Sequence, residues 1–157
     1  MHVWRMAATG LAVSVLVPSL VHATRRSALW RRLALPWSIC FPGFVLLHAA
    51  AVLTHIRPAA VPAPVWAEAA LVGAAVWFWL PVLGVRHRLT DPGRCAYLFL
   101  AGPVLDLPAV LLIATGDSAG GLAMIVSMLP IGLLATVVTW RWITAEEPQA
   151  RARAAHP

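Results

Sequence analysis

The chain has 157 residues, of which 61% are hydrophobic and 11% charged, and its mean hydropathy is +0.79. This composition excludes an ordinary soluble domain, in which about a quarter of the residues are charged. The net charge of +6 comes from 12 arginines against 6 acidic residues. Because the arginines fall in short segments between apolar runs, the charge indicates membrane topology and argues against nucleic-acid binding.

Five apolar runs are each long enough to cross a hydrocarbon core of about 30 Å as a helix, which takes roughly 20 residues. Backbone groups in lipid must be hydrogen-bonded within the protein, and the alternating segments of a β-barrel do not occur. The sequence therefore predicts an all-α, polytopic bundle of about five transmembrane helices in a domain over residues 1–143. The predicted helices are 3–23, 37–55, 66–85, 95–115 and 119–140. The polar segment 144–157 is predicted to be a disordered tail.

Ten of the twelve arginines fall on one side of this arrangement, and only Arg5 and Arg57 fall on the other. By the positive-inside rule, the N-terminus is predicted to be outside and the C-terminus cytoplasmic. The first run also has the form of a signal peptide that ends in "VHA". The basic pair that follows, Arg25 and Arg26, would then have to be exported, so retention of the first helix is favoured.

Side chains that suit a soft metal gather near the predicted outer end. His2 and Met6 lie one turn apart on the first helix, His55 ends the second helix, and Met124 lies near the start of the fifth. His48 lies two turns deeper than His55 on the same face. Imidazole and thioether ligands together favour cuprous copper. Interfacial histidines and packed methionines are the simpler interpretation, and the sequence leaves it open.

Asp106 lies near the middle of the fourth helix, in "GPVLDLPAV" between Pro103 and Pro108. An acidic side chain is costly at this depth in a membrane, so Asp106 is a candidate functional residue. The alternative is a protonated carboxyl that bonds a carbonyl freed by one of the prolines. Glu68, one turn inside the third helix, is shallow enough to reach water.

The stretch "TGDSAGGLAMIVSM" (115–128) connects the fourth and fifth helices. Asp117 is predicted to cap the fifth helix, where a carboxylate is favoured by the helix dipole. Gly120 and Gly121 are predicted to allow a neighbouring helix to approach closely.

Prolines fall inside most of the predicted helices, and neighbouring helices are expected to bond the carbonyls that these prolines free. Cys40 and Cys95 lack ligand spacing and are predicted to be free thiols. The chain has no nucleophile–base pair, phosphate loop or zinc spacing, which argues against an enzyme.

Several segments together resemble the CtaG family of cytochrome c oxidase assembly factors, over roughly residues 37–147. They are "THIRP" (54–58), "WFWLPVLG" (77–84), "RLTDPGRCAYLFLAGP" (88–103), "DSAGGLAMIV" (117–126) and "WRWITAEE" (140–147). The resemblance implies a multi-pass protein of the bacterial plasma membrane that contacts oxidase subunits and assists copper supply from the outer face. The matching positions are His55, Asp117, Gly120, Gly121 and Met124, with Trp79, Pro81, Arg94 and Tyr97 as structural matches.

The chain departs from the family pattern in several places. Five helices stand where family members usually have about seven, and Ser118 replaces the family's glutamine. The family's Glu-His pair becomes Glu68 and Ala69, and its early His-x-x-x-His is at best His2 with Met6.

Two other functions remain open from the sequence. One is a small transporter or permease subunit that uses Asp106. The other is a haem protein, in which His48 and His55 cannot share one haem because they lie about 10 Å apart along one helix. His2 with His55 remains conceivable as a haem ligand pair.

Overall fold

The computed structural model describes residues 2–53, 65–84 and 86–154, with side chains for 3–53, 66–84 and 86–148. The described part is helical, with no strand. Its helices are α1 (His2–Leu11), α2 (Val17–Ala23), α3 (Ala28–Leu33), α4 (Trp37–Leu53), α5 (Val65–Leu83), α6 (Asp91–Ala114) and α7 (Ser118–Ala154), and a π-helical segment, Ala12–Leu16, joins α1 to α2.

Four helical stretches are long and apolar enough to cross a membrane, and α4 is a shorter apolar helix of 17 residues. The predicted all-α bundle of about five membrane-type helices is confirmed. The predicted end of the second helix, at His55, lies outside the described residues.

Two helix boundaries differ from the prediction by more than two residues. Helix α6 begins at Asp91 because the Thr90 side chain accepts a hydrogen bond from the Gly93 N–H (3.3 Å) and Pro92 lies in the first turn. Helix α7 continues to Ala154, into the segment 144–157 that is predicted to be disordered. That segment is polar, but it is rich in Ala, Glu, Gln and Arg, which are good helix formers.

The helices pack in a bundle in which α7 lies against both α6 and α1, while α4 lies between α5 and α6. The centre is aromatic: the ring centroids of Phe44 and Phe78 are 4.9 Å apart, and those of Phe78 and Tyr97 are 5.1 Å apart. Trp79 is fully buried beside Phe78.

For four of the prolines inside helices, a carbonyl in the preceding turn receives a hydrogen bond from a neighbouring helix. A proline removes one backbone N–H and kinks the helix, which opens the preceding turn. The four pairs are Trp79 Nε1 to Val13 O before Pro18 (2.8 Å), Tyr97 Oη to Phe78 O before Pro81 (3.0 Å), His48 Nε2 to Leu105 O before Pro108 (3.1 Å) and Ser14 Oγ to Ser127 O before Pro130 (2.7 Å). In a regular helix the carbonyl that loses its N–H partner lies four residues before the proline. Three of these acceptors lie three residues before it, so at Pro81, Pro108 and Pro130 the bonds fall in the kinked turn and the bonding of the freed carbonyl itself stays a prediction.

The π-helical segment explains the first of these pairs. The Val17 N–H donates to the Ala12 carbonyl, five residues earlier, instead of to Val13. In the same register, the Val13 carbonyl would need the N–H of residue 18, and proline has none. The Trp79 indole supplies the missing donor.

Candidate functional site

Met6 of α1 and Met124 of α7 meet in one buried cluster, although they come from opposite ends of the chain. Their side chains are 4% and 6% exposed. Val52 of α4 and Ala109 and Leu112 of α6 complete the group, which we call the methionine cluster. It lies toward the arginine-poor end of the bundle, the end that carries Arg5 and Glu68. The structure therefore brings together two of the four predicted metal ligands.

Close contacts of α7 with two neighbouring helices place Met124 in this cluster. A Cβ on Gly121 would lie 2.6 Å from the Ala109 carbonyl oxygen of α6. On the other side, Gly10 of α1 lies directly against the Ser127 side chain of α7, and a Cβ on Gly10 would overlap it. The approach predicted for Gly121 is thus present. Gly120 instead lies against the carboxylate of Asp117.

His48 lies below the methionine cluster and is fully buried. Its Nε2 is 3.1 Å from the Leu105 carbonyl oxygen. A carbonyl only accepts hydrogen bonds, so Nε2 carries the proton and Nδ1 presents a lone pair. Within the described part of the chain, this buried Nδ1 has no hydrogen-bond partner.

The register of two helices gives the depth of His48 relative to the cluster. His48 precedes Val52 by four residues, and its partner Leu105 precedes Ala109 by four residues. The His48–Leu105 contact is therefore one helical turn deeper than the cluster, roughly 6 Å along the helix axes.

Asp106 follows Leu105 in α6 and is partly exposed. Its Oδ1 atom is nevertheless buried, and among the described residues it has no hydrogen-bond partner. The Leu105 carbonyl before Pro108 is bonded by His48 and not by this carboxyl. The predicted bond from Asp106 to a freed carbonyl is thus not made by Oδ1.

Glu68 forms an ion pair that joins α5 to α1. Its Oε1 is 2.8 Å from Arg5 Nη2, and the two side chains are 28% and 45% exposed. The sequence placed both residues near the same end of the bundle but did not predict their pairing. The pair is partly exposed, so it contributes little to stability.

Asp117 caps α7 as predicted. Its Oδ1 accepts a hydrogen bond from the Gly120 N–H (2.9 Å), and its backbone carbonyl accepts from the Gly121 N–H (3.0 Å). Gly116, with φ of 107°, makes the preceding turn in the left-handed region that favours glycine.

Two predicted ligands cannot be placed at the cluster from the structure. His55 lies outside the described residues, and of His2 only the backbone is described, at the start of α1. Among the described residues, no group of three or more His, Cys, Asp or Glu side chains could hold a metal ion. Of the four predicted ligands, the structure describes the side chains of the two methionines. Cys40 and Cys95 are free and buried, as predicted.

Comparison with protein-family models, with curated proteins and with solved structures gave no match. The resemblance to the CtaG family therefore stays a prediction from the sequence.

Proposed function

We propose that this protein is a non-catalytic assembly factor for cytochrome c oxidase in the bacterial plasma membrane, and that it holds cuprous copper at its arginine-poor end. The proposal is supported above all by the meeting of Met6 and Met124, from the first and last helices, in one buried cluster. Its apolar helices fit a lipid bilayer, and the order of its sequence motifs resembles that of the CtaG family.

The chemistry of the cluster suits a soft cation. Thioethers bind cuprous copper in preference to harder divalent ions. The unpartnered Nδ1 of His48, one turn deeper, offers an imidazole lone pair of the kind that also binds copper. His2, one turn before Met6, and His55, three residues after Val52, are the proposed ligands nearest to the outer surface. A site built from thioethers and imidazoles holds copper without the strong thiolate bonds that would hinder its transfer.

The copper hypothesis is tested by titration of the purified full-length protein with cuprous ion, in competition with a chromophoric chelator. Met6→Leu and Met124→Leu conserve side-chain volume but remove the sulfur. Met128→Leu is the matched control, because Met128 lies one turn further along α7 and packs in a different cluster. We expect the first two variants to bind copper about 10–100-fold more weakly, a range typical of damaged metal sites. His55→Ala should also weaken binding, whereas His87→Ala at the other end should not.

The assembly role is tested in cells. Membranes of a deletion strain should show reduced cytochrome c oxidase activity and reduced copper content. Normal values for both would reject the assembly role. If the wild-type protein binds no copper but the deletion strain lacks oxidase activity, the copper-holding step is rejected and a docking role on the oxidase remains.

A second candidate, a small transporter that uses Asp106, is favoured by the buried, unpartnered Oδ1 of that residue. An intramembrane carboxyl of this kind is typical of proton-linked transport. Asp106→Asn separates the two functions. If it abolishes uptake of a solute and leaves oxidase maturation normal, transport replaces assembly as the proposed function. Haem binding would give a Soret band in the purified protein, and His48 is a poor haem ligand because its Nε2 already bonds Leu105.

A further inference from the structure

A polar cavity of about 380 Å³ opens at the arginine-rich end of the bundle, the end opposite the methionine cluster. It lies between the end of α2, the loop after α5, the start of α6 and the last part of α7. Its charged lining consists of Arg25, Arg88, Arg94, Arg141 and Asp91. We call this cavity the arginine pocket. Four arginines against one aspartate give these five side chains a net charge of +3.

The positive charge of the arginine pocket is only partly compensated. Asp91 Oδ1 is shared by Arg94 Nη1 at 3.1 Å and Arg88 Nη2 at 3.4 Å. Arg25 and Arg141 make no ion pair within the part of the chain that the structure describes. The Arg94 side chain is 18% exposed, and its buried Nε has no hydrogen-bond partner among the described residues. Guanidinium groups that converge in this way suit a phosphate group, which they bind through paired hydrogen bonds.

The loop after α5 is shaped to hold Arg88 at the pocket. Gly84 has φ of 79°, a conformation that other residues rarely adopt, and a Cβ on it would lie 2.8 Å from Arg88 Cδ. The Leu89 N–H donates to the Pro81 carbonyl (3.2 Å), which folds the loop back onto α5. The stem of Arg88 therefore lies over a glycine that leaves room for it.

A second cavity continues from the arginine pocket toward the middle of the bundle. This apolar groove has a volume of about 440 Å³ and shares His22 and Leu83 with the arginine pocket. On one side it is lined by α2 and the π-helical segment, through Val15, Pro18 and Ser19, and on the other by α7, through Pro130 and Leu134. Four of the six residues of α7 that line the groove and the pocket form one stripe, in which successive members are three or four residues apart: Pro130, Leu134, Val138 and Arg141.

The length of this stripe matches one leaflet of a bilayer. From Pro130 to Arg141 the helix rises roughly 16 Å, and half of a hydrocarbon core is about 15 Å. A polar, positively charged pocket thus continues into an apolar groove, and the two together follow α7 over about the thickness of one leaflet. A free phosphate would use the pocket alone, whereas a phospholipid would use both parts.

The geometry points to a binding site for one anionic glycerophospholipid, with its headgroup phosphate in the arginine pocket and an acyl chain in the apolar groove. Basic pockets between membrane helices recognise anionic lipid headgroups in this way. The inference is independent of the proposed copper chemistry, because the site lies at the opposite end of the bundle.

The headgroup half of the site is tested by native mass spectrometry of the full-length protein released from mixed vesicles of phosphatidylglycerol and phosphatidylcholine. We expect one phosphatidylglycerol to be retained and phosphatidylcholine to be lost. In the double variant Arg25→Gln/Arg141→Gln, retention should fall about thirtyfold, because two arginines that bind the headgroup in the pocket are lost. The control is Arg31→Gln/Arg32→Gln, which removes the same charge from exposed positions outside the pocket. Equal loss in both double variants would overturn the site in favour of general charge attraction.

The groove half is tested with a bulky side chain at an exposed position, so that folding is preserved. Ser19→Trp places an indole in the groove, and Leu20→Trp places one on the neighbouring, lipid-facing position as a control. Ser19→Trp should reduce phosphatidylglycerol retention about tenfold relative to Leu20→Trp. Millimolar inorganic phosphate should not displace the lipid. If inorganic phosphate displaces the lipid and Ser19→Trp has no effect, the pocket binds a soluble phosphate and the lipid assignment is wrong.

Discussion

The hydrogen bond from Trp79 to the Val13 carbonyl should matter for stability only because residue 18 is a proline. Trp79→Phe removes the indole donor and leaves a buried carbonyl unsatisfied. Pro18→Ala returns an N–H to position 18, which can then bond this part of the helix. We therefore expect Trp79→Phe to cost less free energy of unfolding in the Pro18→Ala background than in the natural chain.

The size of this difference follows from the surroundings of the bond. Interhelical hydrogen bonds in membranes average about 0.6 kcal/mol and reach about 1.7 kcal/mol, because the separated helices usually find other partners. Here the separated helix offers none, since the Val17 N–H already bonds Ala12 and Pro18 has no N–H. The Trp79 indole is also fully buried. We therefore expect the coupling energy between Trp79→Phe and Pro18→Ala to lie near the upper end of this range for interhelical hydrogen bonds, at about 1.5 kcal/mol. The loss of ring volume affects both backgrounds and cancels.

The coupling is measured with the four variants of a double-mutant cycle, unfolded reversibly by sodium dodecyl sulfate in mixed micelles and followed by far-UV circular dichroism. Trp77→Phe is the matched control, because Trp77 Nε1 bonds the Leu33 carbonyl and its ring is 40% exposed. Trp77→Phe should lower the free energy of unfolding by the same amount in the natural chain and in the Pro18→Ala background. Equal costs of Trp79→Phe in the two backgrounds would refute the reasoning that the indole replaces a donor lost to proline.

Two further substitutions test the start of α7 in the same assay. Gly121→Ala should destabilise the bundle by about 1–3 kcal/mol, because its Cβ would press on the Ala109 carbonyl. Gly132→Ala, where a Cβ meets nothing within 4 Å, should be neutral or stabilising by about 0.5–1 kcal/mol. Asp117→Ala should cost about 0.5–2 kcal/mol through loss of the cap on the Gly120 N–H, and Asp117→Asn should retain most of the stability. Equal effects of the two glycine substitutions, or of the two Asp117 substitutions, would contradict the contacts described.

The helices were predictable from the sequence because lipid offers the backbone no hydrogen-bond partners. An apolar run long enough to span must then be helical, whatever its propensity. The same argument does not extend to residues 144–154, where water can solvate the backbone. The polarity of this segment predicts disorder, but the local preference of Ala, Glu and Arg for helix decides the conformation.

The sequence predicts the depth of the candidate site in the bundle but not which side chains face each other there. The depth of Met6 and Met124 follows from their distance to the helix ends, so the sequence placed both near one end. Whether they face each other depends on the rotation of each helix, which is set by contacts such as Gly121 with Ala109 and Gly10 with Ser127. Single residues do not reveal such contacts. The donor for each carbonyl before a proline was unpredictable for the same reason.

The buried atoms without partners support the two proposed sites independently. Among the described residues, only four buried side-chain polar atoms lack a hydrogen-bond partner: His48 Nδ1, Asp106 Oδ1, Arg94 Nε and Thr139 Oγ1. An unsatisfied polar atom is costly in an apolar interior, so each one calls for a reason.

Arg94 lines the arginine pocket, where a phosphate would provide the missing acceptor. His48 differs from the other side chains that bond a carbonyl before a proline, because tryptophan, tyrosine and serine do this without leaving a buried ring nitrogen unpaired. The bond to Leu105 accounts for the Nε2 atom of His48. It does not account for the presence of a histidine at this position, because the second ring nitrogen stays unpaired. A ligand at Nδ1, one turn below the two methionines, would account for it.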